Sequence, residues 1–116
     1  MTTKRKAAKT ATNRLPKARL AEMIEEATVD AYDESEQATG WFTMLEDNLE
    51  LPFETEVLGV PVRVTRIEQR DDDRLVAICA RGRDEQAIGL ADLPLPTRPP
   101  PGAEWIEAYR LWLGGR

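Results

Sequence analysis

The stretch 53-FETEVLGVPVRVTRIEQRDDDRLVAICARGRDEQAIGL-90 decides the fold. Its valines Val60, Val62 and Val64 alternate with residues that are not core-forming, which is the period of a half-buried β-strand. Turn-forming clusters of glycine and aspartate divide the stretch at three points, 58–59, 70–73 and 82–84. We therefore predict about four short antiparallel strands, at 53–58, 60–69, 74–81 and 85–90, which form a small sheet or an SH3-like barrel.

Segments in which apolar residues recur at helical spacing lie on both sides of this stretch. A helix is predicted at 16–31, with a proline in its first turn, and a second helical stripe runs from Ala38 to Pro52, which ends it. Together these two predict an N-terminal helical hairpin. Beyond the strands, a proline-rich connector leads to a helix at 103–113. Trp41, Trp105, Tyr109 and Trp112 lie at helical spacing and are expected in the core. The predicted fold class is α+β.

Composition removes most catalytic chemistry. The 116 residues include no histidine and one cysteine, Cys79, and we find one serine, Ser35. Histidine-based catalysis and thiolate or imidazole zinc sites are therefore excluded. The chain has no apolar run long enough to span a membrane and its basic start lacks a secretory signal, so a cytoplasmic protein is expected. Residues 1–14 are predicted to be a disordered basic tail, and residues 15–116 a single α+β domain.

Charge is divided into blocks. Residues 1–20 carry seven Lys or Arg residues and no acid, whereas residues 21–50 carry ten Asp or Glu residues and no base. One interpretation of the second block is a solvated acidic face on two helices. Repeated i,i+3 and i,i+4 acidic pairs would cost about 2–4 kcal/mol of helix stability in total. The other interpretation is therefore that a cation, a basic partner or the basic tail compensates this charge.

Because the chain has no histidine, its available metal ligands are mainly oxygen atoms, which favour Ca²⁺, Mg²⁺ or Mn²⁺. Of these ions, Ca²⁺ best tolerates an irregular cluster of carboxylates. The EF-hand pattern is absent, because its nearest approach, which begins at Asp30, has Ser35 in place of the required glycine. The turn 71–73, three aspartates between strands, is a second candidate location, although such a turn is more often simply solvated.

Five segments of the sequence are specific enough to compare with a known family: IEEATVDAY (24–32), GWFTMLEDNL (40–49) continuing to LPF (51–53), VAICARGR (76–83), DLPLP (92–96) and GAEWIEAYR (102–110). Over about residues 20–113 they resemble the small non-EF-hand calcium-binding protein family of bacteria, of the cyanobacterial type. The resemblance implies calcium binding through acidic residues without an EF-hand, and no enzymatic activity.

Position in the predicted hairpin selects the candidate ligands. Asp30, Asp33 and Glu36 surround the helix-to-helix junction, where a turning backbone directs side chains toward one ion. Glu46 and Asp47, on the second helix, complete that site or form another. Glu22 and Glu25 are expected to serve the positive N-terminal end of the first helix.

The leading functional hypothesis is therefore a calcium buffer or sensor. The alternative is an acidic protein-protein interaction module with a basic tail and an unidentified protein partner. A nucleic-acid partner is not favoured, because the arginines of the sheet have no interleaved aromatic residues.

Overall fold

The β-sheet predicted from the alternating stretch is present. The computed structural model describes residues 16–115. Four strands lie side by side in chain order, each antiparallel to the next, with the first and last as edges. They are β1 (Phe53–Val57), β2 (Val60–Gln69), β3 (Leu75–Arg81) and β4 (Asp84–Gly89). Each strand agrees with its predicted bounds to within one residue. Of the two predicted arrangements, a sheet or a barrel, the strands form the open sheet.

Three α-helices and one short 3₁₀ turn complete the described part of the chain. They are α1 (Lys17–Thr28), α2 (Glu34–Asn48), the 3₁₀ turn Leu90–Asp92, and α3 (Glu104–Gly114). α1 ends three residues before its predicted end. Val29 already has an extended backbone, and Asp30 has a left-handed φ of 59°, which no α-helix accommodates. These residues turn the chain into α2.

The helices pack on one face of the sheet, which is an α+β arrangement as predicted. Trp41 of α2 is fully buried at the centre of the aromatic core. Its ring centroid lies 6.3 Å from that of Trp105, 5.6 Å from that of Tyr109 and 5.6 Å from that of Trp112. The predicted core role is confirmed for Trp41, Trp105 and Tyr109, whereas Trp112 is half-buried and packs against that core.

Gly40 allows α1 and α2 to approach closely. A Cβ atom added at this position would lie 2.0 Å from the carbonyl oxygen of Ala27, far inside van der Waals contact. Ala27 and Ala38, the small residues nearby on the two helices, are both buried. The hairpin geometry, and with it the position of the α1–α2 junction, therefore depends on a residue without a side chain.

The other face of the sheet carries ion pairs. Val76 and Ile78 of β3 point away from the helices, yet they are only 3% and 4% exposed. Their cross-strand partners on β2 are Glu68 and Arg66, whose side chains pair with each other at 2.6 Å. Arg66 also lies 3.6 Å from Glu85 of β4. These charged side chains therefore lie across the strand pair from the apolar residues of β3.

One sequence-based role is wrong, and one lies outside the described residues. Glu22 and Glu25 were expected at the N-terminal end of α1, but the helix begins at Lys17 and its first turn contains no acid. Glu22 instead pairs with Arg19 at 3.4 Å. The predicted disordered tail, residues 1–14, lies outside the described residues. Within them, every helix is too short or too polar to cross a membrane.

Candidate metal centre

The α1–α2 junction is held by a reciprocal pair of carboxylates. Asp33 is the N-cap of α2, and its Oδ1 accepts a 2.8 Å hydrogen bond from the backbone N–H of Glu36. Oε1 of Glu36 accepts in return from the backbone N–H groups of Tyr32, at 2.7 Å, and Asp33, at 3.2 Å. This capping box satisfies N–H groups that the helix itself leaves free. The two carboxylates are therefore fixed at the positive end of α2 instead of repelling each other as a helical pair.

Asp30 lies on the same turn, exposed to solvent and with its left-handed backbone. Aspartate tolerates this conformation better than most residues because its short side chain bonds locally. The neighbouring side chains of Val29 and Tyr32 are 68% and 85% exposed, respectively. Asp30 is therefore part of an open turn in which carboxylates alternate with exposed apolar groups.

The turn between β2 and β3 reaches this junction. Oδ1 of Asp73 accepts a hydrogen bond from the hydroxyl of Ser35, in the first turn of α2, at 3.2 Å. The same oxygen accepts from Nε2 of Gln69 at 3.2 Å, and Gln69 receives a 3.3 Å bond from the hydroxyl of Thr39. The two acidic segments that the sequence separates by more than thirty residues thus meet at one end of α2.

Within the triple-aspartate turn the three carboxylates differ. Asp73 has a left-handed φ of 68° and faces α2. Asp72 faces Arg74, accepting a 3.1 Å bond from its backbone N–H and a 2.8 Å bond from its Nε. The backbone hydrogen bond, assisted by the guanidinium, holds the pKa of Asp72 below its ordinary value. Asp72 therefore already has a cationic partner, and Asp73 is the member of the turn that the fold directs to the junction.

Glu46 and Asp47 lie elsewhere. Both are exposed in the last turn of α2, thirteen or more residues beyond Asp33. At 1.5 Å per residue this places them about 20 Å along the helix axis from the junction. One ion cannot bridge that distance. The five predicted ligands therefore divide into a junction group of three and a distal pair.

The arrangement fits a hard cation only after side-chain movement. Among residues 16–115, no three Asp, Glu or Cys side chains lie close enough together to hold one metal ion in this conformation. Asp33 and Glu36 each use one oxygen in the capping box, so each has a second carboxylate oxygen to offer. Asp30, Asp33 and Glu36 are exposed, so their side chains can change rotamer without disturbing the core, and Asp73 is half-buried. The donor set consists of oxygen atoms, as Ca²⁺ requires.

Two features of this site went undetected in the sequence. The spacing Asp33-x-x-Glu36 before an apolar helical stripe is a capping-box signature and was available to find. The contact between Ser35 and Asp73 had no such signal, because it depends on how α2 packs beside the β2–β3 turn.

These features define an α+β protein with an acidic turn region and no EF-hand. A family model described as calcium binding, that of CcbP, matches residues 21–113, so the chain belongs to the CcbP family of calcium-binding proteins. The expected family is confirmed, and the alternative of an acidic interaction module is not favoured. No curated protein matches the chain significantly.

Two solved structures share the fold. The crystal structure of CcbP from Anabaena is 24% identical, with a TM-score of 0.64, over 88% of this chain and 94% of that chain. A calcium-binding protein in its calcium-binding form is also 24% identical, with a TM-score of 0.68, over 84% of this chain and 90% of that one. At this identity the likeness establishes the arrangement of helices and strands.

Proposed function

We propose that this protein binds Ca²⁺ at the α1–α2 junction, through Asp30, Asp33 and Glu36, with Asp73 as a fourth ligand. The hydrogen bond from Ser35 to Asp73 is the observation that carries this proposal, because it joins a second acidic segment to the predicted one. Ca²⁺ takes six to eight oxygen ligands in flexible geometry. Four carboxylates from two segments, with backbone carbonyls and water, supply that number.

Electrostatics favours an ion at this place. Asp30, Asp33 and Glu36 lie within seven residues, and no Lys or Arg occurs between residues 21 and 50. A divalent cation would offset the negative charge that these three carboxylates concentrate at one turn. Ca²⁺ suits the site better than Mg²⁺, since Mg²⁺ requires near-ideal octahedral geometry and releases its water reluctantly.

We assign Glu46 and Asp47 to a separate and weaker location. The C-terminal end of α2 carries the negative end of the helix dipole, which favours a cation beside the two carboxylates. The two locations are too far apart to share an ion, so they predict two independent binding steps.

The proposed role is that of a calcium buffer or sensor in the cytoplasm, without enzymatic activity. A free and buried Cys79 is consistent with a reducing compartment. Residues 15–116 form the proposed calcium-binding domain, and one hydrophobic core joins its three helices to the sheet. A sensor, but not a buffer, would change shape on binding and present that change to a protein partner.

Isothermal titration of the full chain with CaCl₂ tests the proposal. The Asp73→Asn variant should bind Ca²⁺ at least about tenfold more weakly at the junction, since one charged ligand is lost. The matched control is Asp71→Asn, in the same turn but outside the proposed ligand set. Equal Ca²⁺ affinity in the Asp73→Asn variant and the wild type would show that Asp73 is not a ligand. The absence of binding heat in the wild type would contradict the proposed function itself.

A further inference from the structure

A cleft of about 520 Å³ lies between the edge strand β1 and the proline-rich connector that follows the 3₁₀ turn. The hydroxyl of the buried Thr55, in β1, donates a 2.7 Å hydrogen bond to the carbonyl oxygen of Pro94, in the connector. No backbone hydrogen bond joins the two segments within residues 16–115. The connector therefore forms a wall beside β1 without pairing with it. The cleft is lined by Glu54, Thr55 and Glu56 of β1, Pro61 of β2, and residues 94–97 of the connector.

The hairpin between β1 and β2 determines which backbone groups of β1 point to its free edge. Leu58 and Gly59, the two residues of the turn, both have positive φ, 53° and 76°, as a type I′ turn requires. In such a hairpin the flanking pair, Val57 and Val60, exchanges both backbone hydrogen bonds. Hydrogen-bonded and non-hydrogen-bonded pairs then alternate along β1.

Glu54 and Glu56 fall in the non-hydrogen-bonded pairs of this ladder. Glu56 lies opposite Pro61, which has no N–H to donate, in agreement with the alternation. Glu54 lies opposite Arg63. The N–H and C=O groups of both glutamates therefore point away from β2, toward the cleft. An added β-strand is the partner that pairs with all of these groups.

The side chains beside the free edge define what such a strand must carry. Glu54 and Glu56 are exposed on the face opposite Thr55, and neither carboxylate forms an ion pair with a basic residue of the described chain. Residues of the added strand directly opposite these two glutamates therefore meet carboxylates. The residue between them points to the connector, where Leu95 and Pro96 are apolar and half-buried. The matching pattern is basic, apolar, basic.

A second copy of this chain does not supply that pattern. Symmetric antiparallel pairing of β1 about Thr55 would place Glu54 opposite Glu56 of the other copy, and like charges directly opposite each other destabilise a sheet. The other edge strand, β4, reads DEQAIG and contains no basic residue. Both edges are thus acidic, which disfavours self-association. The complementary segment therefore belongs to a different protein.

We propose that the β1 edge binds an extended segment of another protein with this basic, apolar, basic pattern, which joins the sheet as a fifth strand. Backbone hydrogen bonds to Glu54 and Glu56 supply affinity, and their carboxylates together with the connector wall select the sequence. The site is separate from the helical hairpin, and the inference does not depend on calcium binding.

Fluorescence anisotropy of a labelled peptide tests the addition of a strand. The probe is Gly-Thr-Lys-Val-Lys-Thr-Gly, titrated with the full chain in chelator at low salt. Its matched control carries methyl groups on the backbone nitrogens of both lysines, which removes the backbone donors and keeps every charge. The control should bind at least about fivefold more weakly, because it loses two hydrogen bonds to β1. Equal binding of the two peptides, or no binding of the probe, would overturn the proposal.

Variants of the protein test the role of the carboxylates. Glu54→Gln, Glu56→Gln should bind the probe about three- to tenfold more weakly than the wild type at low salt, the size expected for two exposed ion pairs. The matched control, Asp84→Asn, Glu85→Gln, removes the same charge from the β4 edge and should bind nearly as the wild type does. The difference should vanish near 1 M salt, where the Debye length is about 3 Å. Equal affinity of the two double variants at low salt would contradict the proposed site.

Amide hydrogen exchange locates the bound peptide. Saturating probe should slow exchange at the backbone N–H groups of Glu54 and Glu56. Glu85 and Ala87 of β4 are the control, because their pairs with β3 alternate in the same way and leave their N–H groups on the opposite edge of the sheet. Slowing that is equal at both edges, or absent from β1, would show that the peptide does not extend the sheet at β1.

Discussion

The hydroxyl of Ser35 donates a 3.2 Å hydrogen bond to Oδ1 of Asp73, which is 38 residues away in the chain. Ser35 lies in the first turn of α2, and Asp73 closes the turn between β2 and β3. The bond joins the helical hairpin to the sheet at the point where both are most acidic. It brings Asp73 to the first turn of α2, whose N-terminus carries the capping box of Asp33 and Glu36.

Removing the Ser35 hydroxyl should weaken Ca²⁺ binding without removing a ligand. Ser35→Ala is expected to lower Ca²⁺ affinity about two- to tenfold, because a net hydrogen bond contributes about 0.5–1.5 kcal/mol. The matched control is Thr43→Ala, whose hydroxyl bonds within α2 to the carbonyl of Thr39 at 3.0 Å. Titration calorimetry measures both variants, and equal affinities would show that Asp73 does not depend on Ser35.

Calcium should stabilise the fold. A ligand that binds only the native state adds about 2.7 kcal/mol at a free concentration 100 times its dissociation constant. Thermal unfolding in CaCl₂ should therefore occur at a higher temperature than in chelator. MgCl₂ at the same concentration serves as the control and should shift the transition less. An unfolding temperature that is identical in CaCl₂ and chelator would speak against a native calcium site.

The two roles of Asp33, cap and proposed ligand, can be separated. Asparagine is as good an N-cap as aspartate, so Asp33→Asn should leave the free energy of unfolding in chelator nearly unchanged while weakening Ca²⁺ binding. Asp33→Ala should lose about 1 kcal/mol of stability in addition. Denaturant unfolding in chelator and titration with CaCl₂ measure the two effects. If Asp33→Asn keeps full Ca²⁺ affinity, this carboxylate only caps the helix.

Gly40→Ala should destabilise the protein by about 1–3 kcal/mol, the usual cost of forcing extra volume into a packed interior. The new Cβ atom would meet the backbone carbonyl of Ala27, which cannot rotate away as a side chain can. Gly114→Ala is the control, since no atom lies within 4 Å of a Cβ there and alanine favours a helix. Urea unfolding of both variants checks the contrast. A neutral Gly40→Ala would mean that the two helices separate at little cost.

Stability should fall in alkaline solution through Cys79. Burial raises the pKa of the Cys79 thiol above its ordinary value. The native state therefore keeps the proton that the unfolded chain releases, so this contribution is complete below the unfolded pKa of about 8.5. It is lost as pH rises through the folded pKa. The free energy of unfolding of the wild type minus that of Cys79→Ala, measured from pH 7.5 to 10, should decrease, and a constant difference would contradict the buried thiol.

The secondary structure could be predicted from local sequence because it follows from periodicity. The alternating valines of β2 and the apolar stripe of α2 bury one face each, and that requirement acts within a few residues. The end of α1 was misplaced, because helical spacing continues to Ala31 while the backbone of Asp30 already turns. Family resemblance gave the expectation of calcium binding, and the match over residues 21–113 confirms the family.

The composition of the site was decided by tertiary structure. Local sequence placed Asp30, Asp33 and Glu36 at a junction, since a helix must end before the next begins. Helical rise alone places Glu46 and Asp47 about 20 Å away along α2, so that separation follows from the helix and needs no tertiary contact. Local sequence could not bring Asp73 to Ser35, because that contact requires α2 to pack beside the β2–β3 turn. The sequence therefore determined which carboxylates lie near turns. Packing determined which carboxylates of different elements meet, because the distances between elements depend on the whole core.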